Sequence, residues 1–186
     1  MDARYLEAIV NEDGQHVVLG RALHPFCFYD ILILEVDDNP LWDGSRPARW
    51  GDLFTAVLAC SSPPGAALSP AYGRGFWRVL RQRLWVLFAR RKYKLQEQAT
   101  AFQVYVKDYY TRPHVWSSAE GSAKAPWLLS IATYIEAHSN MTEHEIMSAS
   151  AGKMMWKYGA IAEVLHGADL MSEAEHEACE AMGFKL

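Results

Sequence analysis

RGFWRVLRQRLWVLFARRKYKLQEQATAFQVYVKDYY, residues 74–110, decides how this chain reads. Placed at about 100° per residue, Phe76, Trp77, Leu80, Leu84, Leu87 and Phe88 fall on one broad face, as in an amphipathic helix. Arg74, Arg78, Arg81 and Lys92 lie together beside that face with Trp85 among them, while Arg83, Arg90 and Lys94 lie elsewhere. Phe102, Tyr105, Val106, Tyr109 and Tyr110 continue at spacings of three and four, which predicts a helix with a buried side.

Two uses of the basic helix stay open. It can offer a basic, aromatic-edged surface to an acidic helix, an anionic membrane or a nucleic acid. It can equally be a core helix whose arginines lay their stems on apolar surface and pair with acidic neighbours. The neighbours exist. Residues 1–73 carry 4 basic and 10 acidic side chains, residues 74–112 carry 10 and 2, and residues 113–186 carry 4 and 10. The net charge of −4 therefore conceals a basic middle between two acidic flanks, which serves internal neutralisation or an acidic partner.

Outward from this stretch, punctuation divides the chain into helices. Asn11-Glu12-Asp13-Gly14 is a turn cluster before the β-branched run His16–Gly20, so residues 1–24 suit a short β-hairpin. His24-Pro25 opens the apolar run Phe26–Val36, read as a helix that Asp37-Asp38-Asn39-Pro40 ends. A polar loop from Trp42 to Arg49 precedes a helix from Asp52 to Cys60. Residues 62–75 and 111–125 read as loops from their Pro, Gly and small residues. Pro126 starts a helix with Leu128, Ile131, Ala132 and Ile135 facing inward. Thr142-x-x-Glu145 is a capping box before a short helix. Met154, Met155, Tyr158, Ile161, Ala162 and Leu165 form a stripe on the next helix, which Gly167 stops. Ser172-x-x-Glu175 opens a mostly polar helix over residues 172–183, expected at the periphery.

The expected fold is thus mostly α, one compact domain over residues 1–186, with about six to seven helices and a short N-terminal hairpin. An apolar fraction of 51% is ample for a core. Cys27, Cys60 and Cys179 are far apart, with no CxxC pair or Cys/His cluster in sequence, so neither zinc nor a disulfide framework is expected. Buried, reduced thiols and the absence of a visible signal peptide point to the cytoplasm. No run is apolar enough to span a membrane.

Catalytic motifs are missing. His144-Glu145 and His176-Glu177 do not extend to HExxH, because Ser148 and Glu180 stand where the second His belongs. No phosphate-cradling GxxxxGK[ST], GxGxxG or GxSxG is present, and Gly73-Arg74-Gly75 is a turn. The remaining histidines, His16, His24, His114, His138 and His166, are scattered, so only the fold can bring them together. No catalytic residue, cofactor or metal ligand is assigned.

Three stretches carry a resemblance. The first is Leu19-Gly20-Arg21-Ala22-Leu23-His24-Pro25-Phe26, leading to Asn39-Pro40, Asp52-Leu53-Phe54 and Ala59-Cys60-Ser61. The second runs from Phe102 to Trp116, where Tyr105 and Asp108 precede Pro113. The third is Met141-Thr142-Glu143-His144-Glu145-Ile146, then Lys153-Met154-Met155-Trp156 and Ala162-Glu163-Val164-Leu165-His166-Gly167. In this order they are similar to small helical proteins encoded among tailed-phage tail genes, of the tail assembly chaperone type. The resemblance implies a non-catalytic protein of the host cytoplasm. Such a protein coats a long helical tape-measure protein during tail assembly, and its partners are other tail proteins. Arg74, Trp77, Arg78, Arg81, Trp85 and Lys92 are then the candidate partner contacts. A nucleic-acid-binding module on helix 74–94, a structural virion component and an enzyme whose site is built from scattered His and carboxylates remain alternatives, and each is compatible with a homo-oligomer.

Overall fold

The computed structural model describes residues 16–68, 76–115, 126–168, 170–171 and 173–181. The described residues form a mostly helical domain with nine α-helices and two two-stranded pairings. Strands β1 (Val17–Val18) and β2 (Arg21–Ala22) make the hairpin. Helices α1 (Phe28–Val36), α2 (Pro40–Asp43) and α3 (Trp50–Cys60) follow, then α4 (Phe76–Lys92) and α5 (Leu95–Tyr109). Strand β3 (His114–Val115) leads to α6 (Trp127–Ala137), α7 (Glu143–Ser148) and α8 (Ala151–His166). Strand β4 (Leu170–Met171) and α9 (Glu173–Ala181) complete the order.

The hairpin turns later than its sequence suggests. The Asn11–Gly14 cluster lies outside the described residues. The turn between β1 and β2 is Leu19-Gly20, at φ of 52° and 73°, inside the run read as strand. Positive φ at both central positions is the requirement of a tight type I′ turn. A leucine there is unusual, and tertiary contacts hold it. Its N–H donates to Gln98 Oε1 at 2.7 Å, its carbonyl accepts from Trp85 Nε1 at 3.1 Å, and its side chain is buried.

Two further helix boundaries were invisible to periodicity. Asn39 caps α2 by accepting from the Leu41 N–H at 3.1 Å, while its amide donates to the Asp52 carbonyl at 2.9 Å. One turn of helix thus forms from Pro40 into the start of the expected 42–49 loop and sets Trp42 against Phe26 and Tyr110. The long basic-aromatic helix is two helices, parted at Tyr93-Lys94 without Gly or Pro. These additions raise the helix number above seven.

Elsewhere local rules hold. Leu128, Ile131, Ala132 and Ile135 are the buried side of α6. Thr142 Oγ1 accepts from the Glu145 N–H at 3.3 Å and Glu145 Oε2 accepts from the Thr142 N–H at 2.8 Å, the reciprocal capping box. Gly167 ends α8 at φ 63°. On α8 the core side is Ala151, Gly152, Met154, Met155, Trp156 and Gly159; Leu165, assigned to the stripe, is 50% exposed. Ser172 lies outside the described residues.

The core is continuous from the hairpin to α8. Helix α1 packs on α3 and α7, α2 on α3 and α5, and α6 on α7 and α8. Phe28, Ile31 and Leu34 of α1 and Phe102, Tyr105 and Tyr109 of α5 are buried at its centre. Gly152 and Gly159 let α8 approach the exit of α5, where an added Cβ would meet Tyr109 O and Pro113 Cγ at 2.6 and 2.7 Å. The expected 111–125 loop is partly a strand: β3 pairs antiparallel with β4, His114 opposite Met171 and Val115 opposite Leu170. No helix among the described residues is long and apolar enough to cross a membrane.

Candidate functional site

Helix α4 turns an unexpected side to the core. Trp85 and Val86 are half-buried and Ala89 fully so, whereas Leu84, Leu87 and Phe88 are 45, 61 and 67% exposed. Positions 84, 87 and 88 stand three and four apart and share one face. Their side of the helix, the broad apolar face of the sequence pattern, points to solvent at its C-terminal end. Arg83 and Arg90 edge it on one side and Lys92 on the other, with Arg91 at its end; all four are exposed. Among the described residues no carboxylate pairs with any of them. The described salt bridges instead join Arg46 to Asp52, Lys94 to Glu97, His16 to Asp108 and His24 to Asp30.

The individual candidates fare differently. Arg74 lies outside the described residues, and Trp77, Arg78 and Arg81 belong to α4 with their side chains undescribed. Lys92 is exposed, its Nζ 5.3 Å from the centre of the Tyr93 ring. Trp85 is a fold residue: besides its bond to Leu19 O, its ring lies edge-on to Phe54 at 5.1 Å and under the Arg21 guanidinium at 4.0 Å. Arg21 to Trp85 is a cation–π geometry that fastens the hairpin to α4. Leu84, Leu87 and Phe88 take the exposed place that Trp85 was expected to fill.

A second feature lies at the start of α1, in residues that match no catalytic motif. His24, Cys27 and Asp30 follow each other at three-residue steps, and the turn into α1 folds them inward. Asp30 is the N3 residue of α1, and its Oδ2 accepts from the Cys27 N–H at 3.0 Å. The same oxygen lies 2.9 Å from His24 Nε2 and 3.2 Å from Cys27 Sγ. Sulfur and imidazole nitrogen stand 3.9 Å apart. Cys27 and Asp30 are buried, and His24 reaches the surface with 19% of its side chain.

The surroundings of this cluster are equally specific. Cys60, at the end of α3, is buried, and its thiol feels the Asp30 charge. Tyr105 donates to the His24 carbonyl at 2.8 Å, and the His24 N–H donates to the Cys60 carbonyl at 2.9 Å. Burial first, and the Asp30 charge second, push both thiols upward. That direction is opposite to the one an activated cysteine nucleophile needs. The expectation that the chain has no Cys/His cluster is therefore corrected. No CxxC pattern describes it, because the cluster has one sulfur, and its other donors are an imidazole and a carboxylate. The H-x-x-C-x-x-D spacing at a helix start was the available signal.

A third feature is a cleft of about 730 Å³ walled by Trp42, Tyr110 and Trp127, with Glu35 and Arg112 at its edges. Trp127 Nε1 donates to Glu35 Oε1 at 2.9 Å, which ties the start of α6 to the end of α1.

Comparison with protein-family models, with curated proteins and with solved structures gives no match to this chain.

Proposed function

We propose that this protein is a non-catalytic, chaperone-like assembly protein of a phage tail. In this reading it holds a long helical, tape-measure-type partner during assembly in the host cytoplasm. The observation that carries the reading is the solvent-facing row Leu84, Leu87 and Phe88 bordered by Arg83, Arg90, Arg91 and Lys92. An apolar row at helical spacing accepts the apolar side of another helix, and the cations beside it select a partner with acidic flanks. The resemblance of the three stretches quoted above supplies the biological setting.

The test is a pull-down of the tagged full chain from its native expression setting, at low and high salt and with a nuclease-treated arm. The expected result is a long, helix-rich protein retained in every arm and lost with Leu87→Asp/Phe88→Asp. Failure to recover any such protein overturns the reading. The four exposed cations favour a second reading, nucleic-acid binding, whose signature is recovery that disappears with nuclease and falls steeply with salt.

A further inference from the structure

The first turn of α1 holds donor atoms in an arrangement that its hydrogen bonds alone do not explain. We propose that His24 Nε2, Cys27 Sγ and the Asp30 carboxylate bind a divalent transition-metal ion, zinc above all.

The geometry is the first argument. Zinc binds nitrogen and oxygen at about 2.0–2.2 Å and sulfur at about 2.3 Å in a tetrahedron, whose neighbouring ligand atoms are then roughly 3.3–3.6 Å apart. The three donors here stand 2.9, 3.2 and 3.9 Å from one another, so their triangle is already close to one face of that tetrahedron. Small side-chain rotations suffice to complete it, and all three ligand atoms lie within 4.8 Å of each other.

Chemistry is the second argument. A thiol, an imidazole and a carboxylate together suit zinc or a neighbouring transition metal, whereas magnesium and calcium call for oxygen alone. Polarity is the third. Asp30 is 1% exposed, yet only its Oδ2 is engaged, and Oδ1 has no hydrogen-bond partner. A buried carboxylate oxygen without a donor is costly, and a bound cation removes that cost.

Position is the fourth argument. The 19% of the His24 side chain that reaches the surface gives an ion a way in, while Cys27 and Asp30 are buried behind it. Bound metal would join the hairpin exit to the start of α1. The site lies apart from the exposed row of α4 and stands or falls independently of the partner-binding reading.

The experiment uses the full chain, stripped with a chelator, checked for helical circular dichroism and titrated with Co²⁺ and then Zn²⁺. One equivalent of Co²⁺ is expected, with the intense visible bands of four-coordinate cobalt and a thiolate-to-cobalt charge-transfer band. Zn²⁺ should displace it and raise the melting temperature. Cys27→Ser should remove half or more of the charge-transfer intensity, and Asp30→Asn should weaken binding roughly tenfold or more. Cys179→Ser, on α9, should change nothing. His24→Asn, at the half-open edge, is the variant least able to disturb folding and should also weaken binding roughly tenfold or more. Loss of about half the charge-transfer intensity in Cys60→Ser would make Cys60 the fourth ligand; unchanged intensity would leave that position to water, with the three-residue site intact. No stoichiometric uptake by the folded wild-type chain, an undiminished thiolate band in folded Cys27→Ser, or undiminished affinity in His24→Asn would overturn the proposal.

Discussion

The carbonyl oxygen of Tyr109 lies 2.6 Å from the point where a Cβ on Gly152 would stand. Real Cβ atoms do not approach backbone oxygen so closely, and Thr111 Oγ1 and N close the same space at 3.0 and 3.2 Å. Gly152→Ala should therefore destabilise the fold by about 1–3 kcal/mol, the range for an overpacked core position, although alanine is the better helix former. A chemical denaturation curve reads this directly. Equal or greater stability for the alanine variant would show that α8 slides freely against the exit of α5.

Leu19 sets two effects against each other. Glycine there would relieve a left-handed backbone worth about 1–2 kcal/mol for an L residue. It would also remove a side chain that is 2% exposed, and deleting a buried leucine costs about 2–5 kcal/mol. The second effect is larger, so Leu19→Gly should lower stability by about 1–3 kcal/mol. A more stable variant would refute that ordering.

Trp85 and its neighbour Leu87 should separate folding from binding. Trp85→Phe keeps a ring against Phe54 but strands the Leu19 carbonyl, at a cost of about 1–2 kcal/mol in denaturant. Leu87→Ala, at an exposed position, should stay within about 0.5 kcal/mol of wild type while reducing partner recovery in the pull-down. The reverse ranking in the melting experiment would mean that the two faces of α4 have been exchanged.

Acid should loosen the start of α3. Hydrogen bonds from the Arg46 guanidinium, at 2.7 and 2.8 Å, hold the Asp52 carboxyl below the ordinary range, aided by the Arg49 N–H. A carboxyl lowered in the folded state stabilises fully above its unfolded value of about 3.9. That contribution is lost as pH falls from there through the lowered folded value. Asp52→Asn should thus be less stable than wild type at neutral pH, with the gap closing in acid. The difference should be modest, since Arg46 is 40% exposed. Urea midpoints measured from pH 7 down to pH 2 check the sign.

What was legible in the sequence was whatever one helix decides alone. The Leu128–Ile135 face, the Thr142–Glu145 box and the Gly167 stop depend on neighbours within a few residues, so spacing and cap chemistry report them. The face of α4 did not follow, because apolar spacing says which residues share a side and not which side finds a partner. Trp85, Val86 and Ala89 found the hairpin and α3, which left Leu87 and Phe88 outside. The β3–β4 pairing was equally hidden, two residues being too few for any alternation to show. His24, Cys27 and Asp30 were visible as letters, yet their convergence depends on the inward turn at Pro25 and on Cys60 arriving from α3.

The hydrogen bond from the Ala151 N–H to the Phe26 carbonyl, 2.7 Å long and beside the Cys27–Ser150 bridge, also constrains the order of events at the ribosome. The entry to α1 cannot be finished until residue 151 has emerged, so the nascent first four-fifths of the chain waits with that edge unsealed. Contacts so distant in sequence slow folding, and a waiting apolar edge invites misassembly. A chain released early, short of α8, would thus be a natural client of the cell's own folding helpers.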